Sequence, residues 1–267
     1  MTKMEMVVEE LKRRGYEAKL TKVAGTNHAE DAIIIGSKND ISPVIYESYL
    51  NVGTVFDMVE EALRLNNLYS ETAVEHVESF CVTKDDLIEK VRLAVCRADW
   101  NKEMLDDTRS KKIGETDLNY YIRYVVDGYG SFAVTDRVVE EYGLNWDVLY
   151  EAANSNDEYY IQNMSELFPE ASIVKMLIVT NRSSCYGASA VCDNDILQKA
   201  LERLGSEEMI IIPSSVHEIL CVALDEAVND MNYIRQMICD VNESAVERRE
   251  QLSDHAYIYD GKVVRNA

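Results

Sequence analysis

Proline and glycine are scarce in this chain, at 3 and 11 of 267 residues. That scarcity excludes collagen-like and proline-rich extended structure, and an apolar content of 47% excludes a disordered polymer. Histidine is also rare. His28, His76, His217 and His255 lie far apart and form no HxxxH, HxH or HExxH spacing, so no metal site is expected. The six cysteines, Cys81, Cys96, Cys185, Cys192, Cys221 and Cys239, include no CxxC pair, which removes zinc-ribbon and thioredoxin-like readings. A chain this long has no need of disulfide staples, and a reducing compartment is expected. The glycine loops of nucleotide-binding folds and the acidic loop of EF-hands are missing, so no cofactor is expected. Long apolar runs are missing too. Ile173–Val179 is broken by Lys175, and Met209–Pro213 is far short of the ~18–20 residues that cross a bilayer. The opening segment MTKMEMVVEELKRRG is an amphipathic helix pattern that differs from a signal peptide. A soluble cytoplasmic protein is the expectation. Finally, 27 Lys+Arg stand against 48 Asp+Glu, a formal net charge of −21. Phosphate-backbone binding needs clustered basic residues, so direct nucleic-acid binding is not expected.

What is present reads as an α+β protein. Met4, Val7, Val8 and Leu11 recur at helical spacing before Gly15. Tyr16–Val23 alternates, Ala32–Ile35 is a short apolar run, and Ser42–Leu50 alternates around Pro43, which together predict a small antiparallel sheet. Thr54 and Thr83 sit three residues before Asp57 and Asp86 in N-capping positions, and the second predicts a helix over Thr83–Trp100. The polar stretch Thr108–Thr116 predicts a boundary between an N-terminal α+β region, 1–108, and a C-terminal one, 109–267, with one continuous globule as the alternative. Beyond it, strands at Tyr120–Val126 and Ser131–Thr135 flank Asp127-Gly128-Tyr129-Gly130, a hairpin turn signal, and helices follow, capped by Thr135 or Asp136 and by Asn145. Ser172–Asn181, Ala188–Cys192 and Asp193–Leu204 repeat that β-turn-β-helix order. Met209–Pro213 and His217–Val222 then predict two paired strands, with a helix near Asp225–Cys239 and a terminal hairpin around Asp260-Gly261.

Two polar segments could carry chemistry. Ser214-Ser215-Val216-His217-Glu218 lies between apolar strands, and alternation puts Ser215 and His217 on one face. If the protein is catalytic, His217, Ser215 and Glu218 are the candidates, with Cys185 an alternative nucleophile for His217. The other reading is local, with serines capping a turn and a histidine bonded to backbone. No GxSxG elbow supports catalysis. The turn Asn181–Gly187 carries an arginine and several hydroxyls, so Asn181, Arg182 and Ser214 are candidate ligand-binding residues, although an ordinary β-turn has the same composition. Tyr120, Tyr121 and Tyr124, with Tyr159 and Tyr160, fit sheet packing better than base stacking.

Residues Thr180-Asn181-Arg182 through Gly187-Ala188, Leu204-Gly205, and Ile212 through Glu218 resemble a large uncharacterised bacterial family, domain of unknown function 5688, frequent in anaerobic Gram-positive gut bacteria. Its members carry a VLTNK-x-G-x-x-GA strand-turn and an LPSSIHE or LPSSVHE strand-turn at this separation. Ile41–Tyr46 is similar to the family's ISPTIYL segment, and Leu252-Ser253-Asp254 before Tyr257 to its LSD-x-x-Y ending. The resemblance covers nearly the whole chain and implies membership without implying an activity. It singles out Asn181, Gly187, Ser214, Ser215, His217 and Glu218, and Cys185 departs from the small residues that the family usually has at that turn.

Charge supplies the leading functional expectation, a non-enzymatic module that docks on a basic protein surface as inhibitors and nucleic-acid mimics do. Residues 136–170 hold nine Asp+Glu against one Lys+Arg, which makes Glu140, Glu141, Asp157 and Glu158 the candidate partner-binding residues. Dispersed acidity also fits simple solubility. The alternative is a small-ligand binder or hydrolase built on the Ser214–Glu218 segment and the Asn181–Gly187 turn.

Overall fold

A computed structural model describes residues 1–36, 44–76, 83–126, 130–167, 175–224 and 230–267. The expected turn at 127–129, the start of the expected strands at 42–43 and 172–174, and the first residues of the helix near 225–229 lie outside the described residues. So do Ile41–Pro43 of the family-like N-terminal segment. Two compact units divide the chain at Val82 and Thr83, and Gly25–Asn27 group with the second unit. The polar stretch Thr108–Thr116 therefore lies inside the second unit, where it supplies an edge strand.

In the first unit, helix α1 (Lys3–Arg13) starts at a capping box in which Thr2 accepts from Glu5 N–H and Glu5 accepts from Thr2 N–H. Its apolar stripe is fully used: Met4, Val7, Val8 and Leu11 are buried. They pack with Ala18, Ile33 and Ile45 from strands β1 (Ala18–Gly25), β2 (His28–Ile35) and β3 (Val44–Tyr46), which form a sheet in that order. A 3₁₀ turn, Glu47–Leu50, leads to α2 (Val55–His76), begun by reciprocal Thr54–Asp57 bonds.

The second unit opens with α3 (Lys84–Lys90), whose capping box uses Thr83 and Asp86. The helix expected to reach Trp100 ends there, and Val91–Arg97 is strand β4. The correction has a clear cause: Val91, Leu93, Ala94, Val95 and Cys96 are all buried, and a strand covered on both faces loses the alternation that marks strands in a sequence. After α4 (Lys102–Asp106), β5 (Ser110–Lys112), β6 (Leu118–Val126) and β7 (Gly130–Ala133) complete a four-stranded sheet in which β6 pairs antiparallel with β4, β5 and β7. Helices α5 (Asp136–Glu141) and α6 (Trp146–Asn156) are capped by Thr135 and Asn145 as their sequences indicate.

Next come β8 (Tyr159–Asn163), α7 (Met164–Leu167) and β9 (Met176–Asn181). Ala188–Cys192, expected to be a strand, lies in a 3₁₀ helix, Gly187–Cys192, with Gly187, Ala188, Ser189, Ala190 and Val191 buried. Small side chains allow this tight helix to lie directly on the strands beneath, which a pattern of apolar residues does not reveal. The second β-turn-β-helix repeat thus carries a 3₁₀ helix in place of its second strand. Helix α8 (Asn194–Leu204), capped by Asp193 and closed by Gly205 at φ +74°, precedes β10 (Met209–Ser215) and β11 (Glu218–Ala223). Helix α9 (Met231–Ser244) and the hairpin β12 (Tyr257–Tyr259) and β13 (Val264–Asn266) finish the chain.

These strands form a six-stranded sheet in the order β13-β12-β10-β11-β9-β8. Its centre explains the unbroken apolar run Met209–Ile212. Met209 and Ile211 pack toward Leu197, Leu201 and Leu204 of α8, while Ile210 and Ile212 pack toward Ile234 and Ile238 of α9. Burial of each such side chain contributes roughly 1.5–3 kcal/mol before entropy is charged against it. Among the described residues, no helix is long and apolar enough to cross a membrane.

Candidate functional site

The two motif segments meet at the end of the six-stranded sheet. Val216 and His217 form the tight turn between β10 and β11, with a register shift between Pro213 and Ser215. Ser214 Oγ donates to Glu218 (3.0 Å), and Ser215 Oγ accepts from the His217 backbone N–H (3.0 Å). His217 Nδ1 accepts from the Tyr186 backbone N–H (3.1 Å), so its ring proton resides on Nε2, 3.8 Å from Glu250. The Nδ1 lone pair is therefore engaged, and Ser215 meets the His217 backbone instead of its ring. A serine–histidine base pair is not assembled.

Asn181, 1% exposed, holds the neighbouring turn. Its Nδ2 donates to Cys185 O (2.9 Å) and to Asp157 (3.2 Å), and its Oδ1 accepts from Cys185 N–H and Ser183 Oγ. Thr180 Oγ1 donates to His217 O (2.8 Å), tying the two turns together. Gly187 sits in this junction. A Cβ there would lie 2.6 Å from both Asn181 N and His217 O and closer still to Thr180 Oγ1, so only glycine lets the backbones approach. Burial raises the Cys185 thiol's pKa, with Asp157 and Glu250 adding to the shift against the lowering effect of Arg123. A thiol in that state is a poor nucleophile. The junction is a clamp between turns, built from side chains bonded to backbone.

The four acidic candidates separate in the same way. Glu140 and Glu141 are exposed on α5. Glu158 is exposed but pairs with Arg182 (2.9 Å), which occupies that arginine as well. Asp157 is not a surface residue: its side chain is 6% exposed, 3.4 Å from Arg92, and one carboxylate oxygen has no hydrogen-bond partner. Burial pushes its pKa up to about 6 against the opposing effects of Arg92 and Asn181.

A concave site lies elsewhere in the second unit, a cleft of about 620 Å³. Its floor is Leu93, Ile113, Val191, Leu197 and Val264. One wall is aromatic: the Tyr120 and Tyr150 rings meet edge-to-face at 5.8 Å, and Tyr150 is fixed by donating to Arg109 O (2.8 Å). The other wall is the terminal hairpin, where Tyr259 donates to Asn194 (2.5 Å) and accepts from Gln198. Gly114 (φ +46°) joins the walls. Its missing Cβ lets the end of β5 lie against the Val264 carbonyl, where Glu115 N–H donates to Val264 O (2.9 Å). Lys111, Lys112 and Lys262 line the mouth, as do Asp147 and Glu151 of α6. Lys111 Nζ rests 3.8 Å from the centre of the Tyr150 ring. Burial raises the Tyr150 phenol to about 12 and holds the Cys192 thiol far above its usual range, so both stay protonated at neutral pH.

A family model matches residues 1–261, nearly the whole chain. The chain belongs to the family of unknown function DUF5688. No curated protein and no solved structure matches it. In this DUF5688 protein the residues of the two motifs, Asn181, Gly187, Ser214 and His217, are the ones that lock the turn junction. In the sequence the cleft residues lie apart, with Lys111 and Lys112 inside the polar stretch Thr108–Thr116 and Tyr120 among the sheet-packing tyrosines. The signal that could have found them is Gly114 beside two lysines on a short strand. Among the described residues, no three His, Cys, Asp or Glu side chains gather to hold a metal.

Proposed function

We propose that this DUF5688 protein binds a small organic molecule in the cleft between α6 and the terminal hairpin. The observation that carries the proposal is the cleft itself: its volume of about 620 Å³ falls in the ~300–1,000 Å³ range of ligand sites, and it combines an apolar floor with a few polar groups at the mouth. This keeps the ligand-binding alternative read from the sequence and moves it away from Ser214–Glu218. The free Cys96, Cys185, Cys192, Cys221 and Cys239 accord with a reducing cytoplasm as the place where binding occurs.

The test is a thermal-shift screen of neutral, cationic and anionic small molecules on the wild type and on Asn154→Trp, which adds bulk at the mouth from an exposed position on α6. Binding raises the melting temperature of the wild type, by RT ln(1 + [L]/Kd) in free energy, and not that of the variant. Equal shifts in both proteins, or none in either, contradict the proposal.

A second reading rests on α5 and α6, where Glu140, Glu141, Asp147 and Glu151 are exposed together with Val148. Such a face suits docking on a basic protein surface. Its association rate should fall steeply with salt, and Glu140→Lys with Glu141→Lys should slow it.

A further inference from the structure

We infer that the cleft's ligand is a small organic anion, a carboxylate or phosphate attached to a flat ring. The inference rests on the cleft-binding proposal and adds the ligand's chemistry. Lysines reach the mouth from both sides, Lys111 and Lys112 on β5 and Lys262 on the hairpin, and all three are exposed there. Asp147 and Glu151 face the same mouth from α6, which leaves the lining one positive charge ahead in a chain of net charge −21. Fields of distant carboxylates are screened beyond about 8 Å at physiological ionic strength, so the local lysines decide what enters.

The aromatic wall supplies the second half of the recognition. Lys111 covers the face of Tyr150 through a cation–π contact at 3.8 Å. An anion at the mouth draws that ammonium into a charge-assisted hydrogen bond and uncovers the ring face for stacking. The ring of the ligand then lies over Leu93, Val191 and Leu197 while its charged end stays at the solvent side, where desolvation is least costly. A cation would leave Lys111 in place and meet three ammonium groups, which the two carboxylates on one side of the mouth do not offset.

The experiment is calorimetric titration of the full chain at low and high salt with two ring-bearing anions, 4-hydroxybenzoate and uridine 5′-monophosphate. Controls are the neutral 4-hydroxybenzyl alcohol and uridine, the cation tyramine, and ring-free inorganic phosphate and acetate. Ring-bearing anions should bind at least about tenfold tighter than their neutral or ring-free counterparts, with affinity falling as salt rises. Preference for the benzoate or for the nucleotide distinguishes carboxylate from phosphate ligands. Lys111→Gln and Lys262→Gln should each weaken anion binding about three- to tenfold and leave the melting temperature unchanged, and in neither variant should neutral-ring binding fall; Lys111→Gln, which uncovers Tyr150, should if anything strengthen it. If neutral rings or tyramine bind the wild type as tightly and Asn154→Trp abolishes that binding, the anion inference is overturned and the cleft reading stands. If nothing binds and Asn154→Trp behaves as wild type throughout the screen, both fail.

Discussion

Asp157 offers the sharpest contrast between a surface acid and a buried one, and Asp157→Asn separates them. The native carboxyl has its pKa raised from 3.8 to about 6 by burial. A carboxyl raised in the folded state contributes stability that is fully present below its unfolded pKa and lost as pH rises through the folded one. At ~1.36 kcal/mol per unit, ionising Asp157 costs about 3 kcal/mol in full, of which about 1.4 kcal/mol accrues between pH 5 and pH 8. Partial solvent screening reduces that increment to about 1 kcal/mol. The amide cannot ionise, so its stability relative to wild type should improve by this amount over the interval. Its nitrogen, left without an acceptor, adds a penalty of about 1–3 kcal/mol that does not vary with pH and cancels from the comparison. The assay is thermal unfolding of both proteins at pH 5, 6, 7 and 8, and a divergence of about 2–4 °C is expected across the series. Parallel curves would mean that Asp157 titrates like an exposed carboxylate, and the reasoning about burial would be wrong.

The remaining predictions concern the turn junction and the ionic cluster of His255 with Asp117 and Asp254. Gly187→Ala should destabilise by about 2–3 kcal/mol, read as a fall in melting temperature, because the added methyl meets three backbone or hydroxyl atoms at once. His217→Ala should cost about 1–2 kcal/mol by orphaning the Tyr186 N–H and should leave ligand titrations unchanged; intact stability with lost binding would return His217 to the functional candidates. His255, raised above 6.5 by Asp117 and then Asp254, stabilises the fold below that value, and this contribution is lost as pH rises through the raised pKa. His255→Gln should therefore flatten the stability profile above pH 6.5, measured by urea unfolding.

Local grammar was readable wherever a short signal acts on its own neighbours. Thr54, Thr83, Thr135 and Asn145 each accept from a backbone N–H at the start of a helix, as their spacing indicates. The pairing of Met209–Pro213 with the strand after His217 was also readable, because only two residues separate β10 from β11. Failures came where tertiary packing overrides pattern. Val91–Cys96 reads as helix because both of its faces are buried, and Ala188–Cys192 reads as strand because small apolar residues suit either state. The clamp residues were visible as a motif, but their partners were not: nothing local tells that His217 Nδ1 will accept from Tyr186. The cleft was the least legible feature, since Leu93, Lys111, Tyr150, Val191 and Lys262 are brought together by five separate segments.

Methyl-resolved NMR of the full chain, titrated with 4-hydroxybenzoate and with uridine 5′-monophosphate, tests the cleft most directly. Binding in the cleft should shift only Leu93, Ile113, Val191, Leu197 and Val264, with Ile33, Ile45 and Leu50 of the first unit unmoved. Shifts that centre on Val216 and Ile219 beside His217, or no shift from any cleft methyl at saturating ligand, would contradict it.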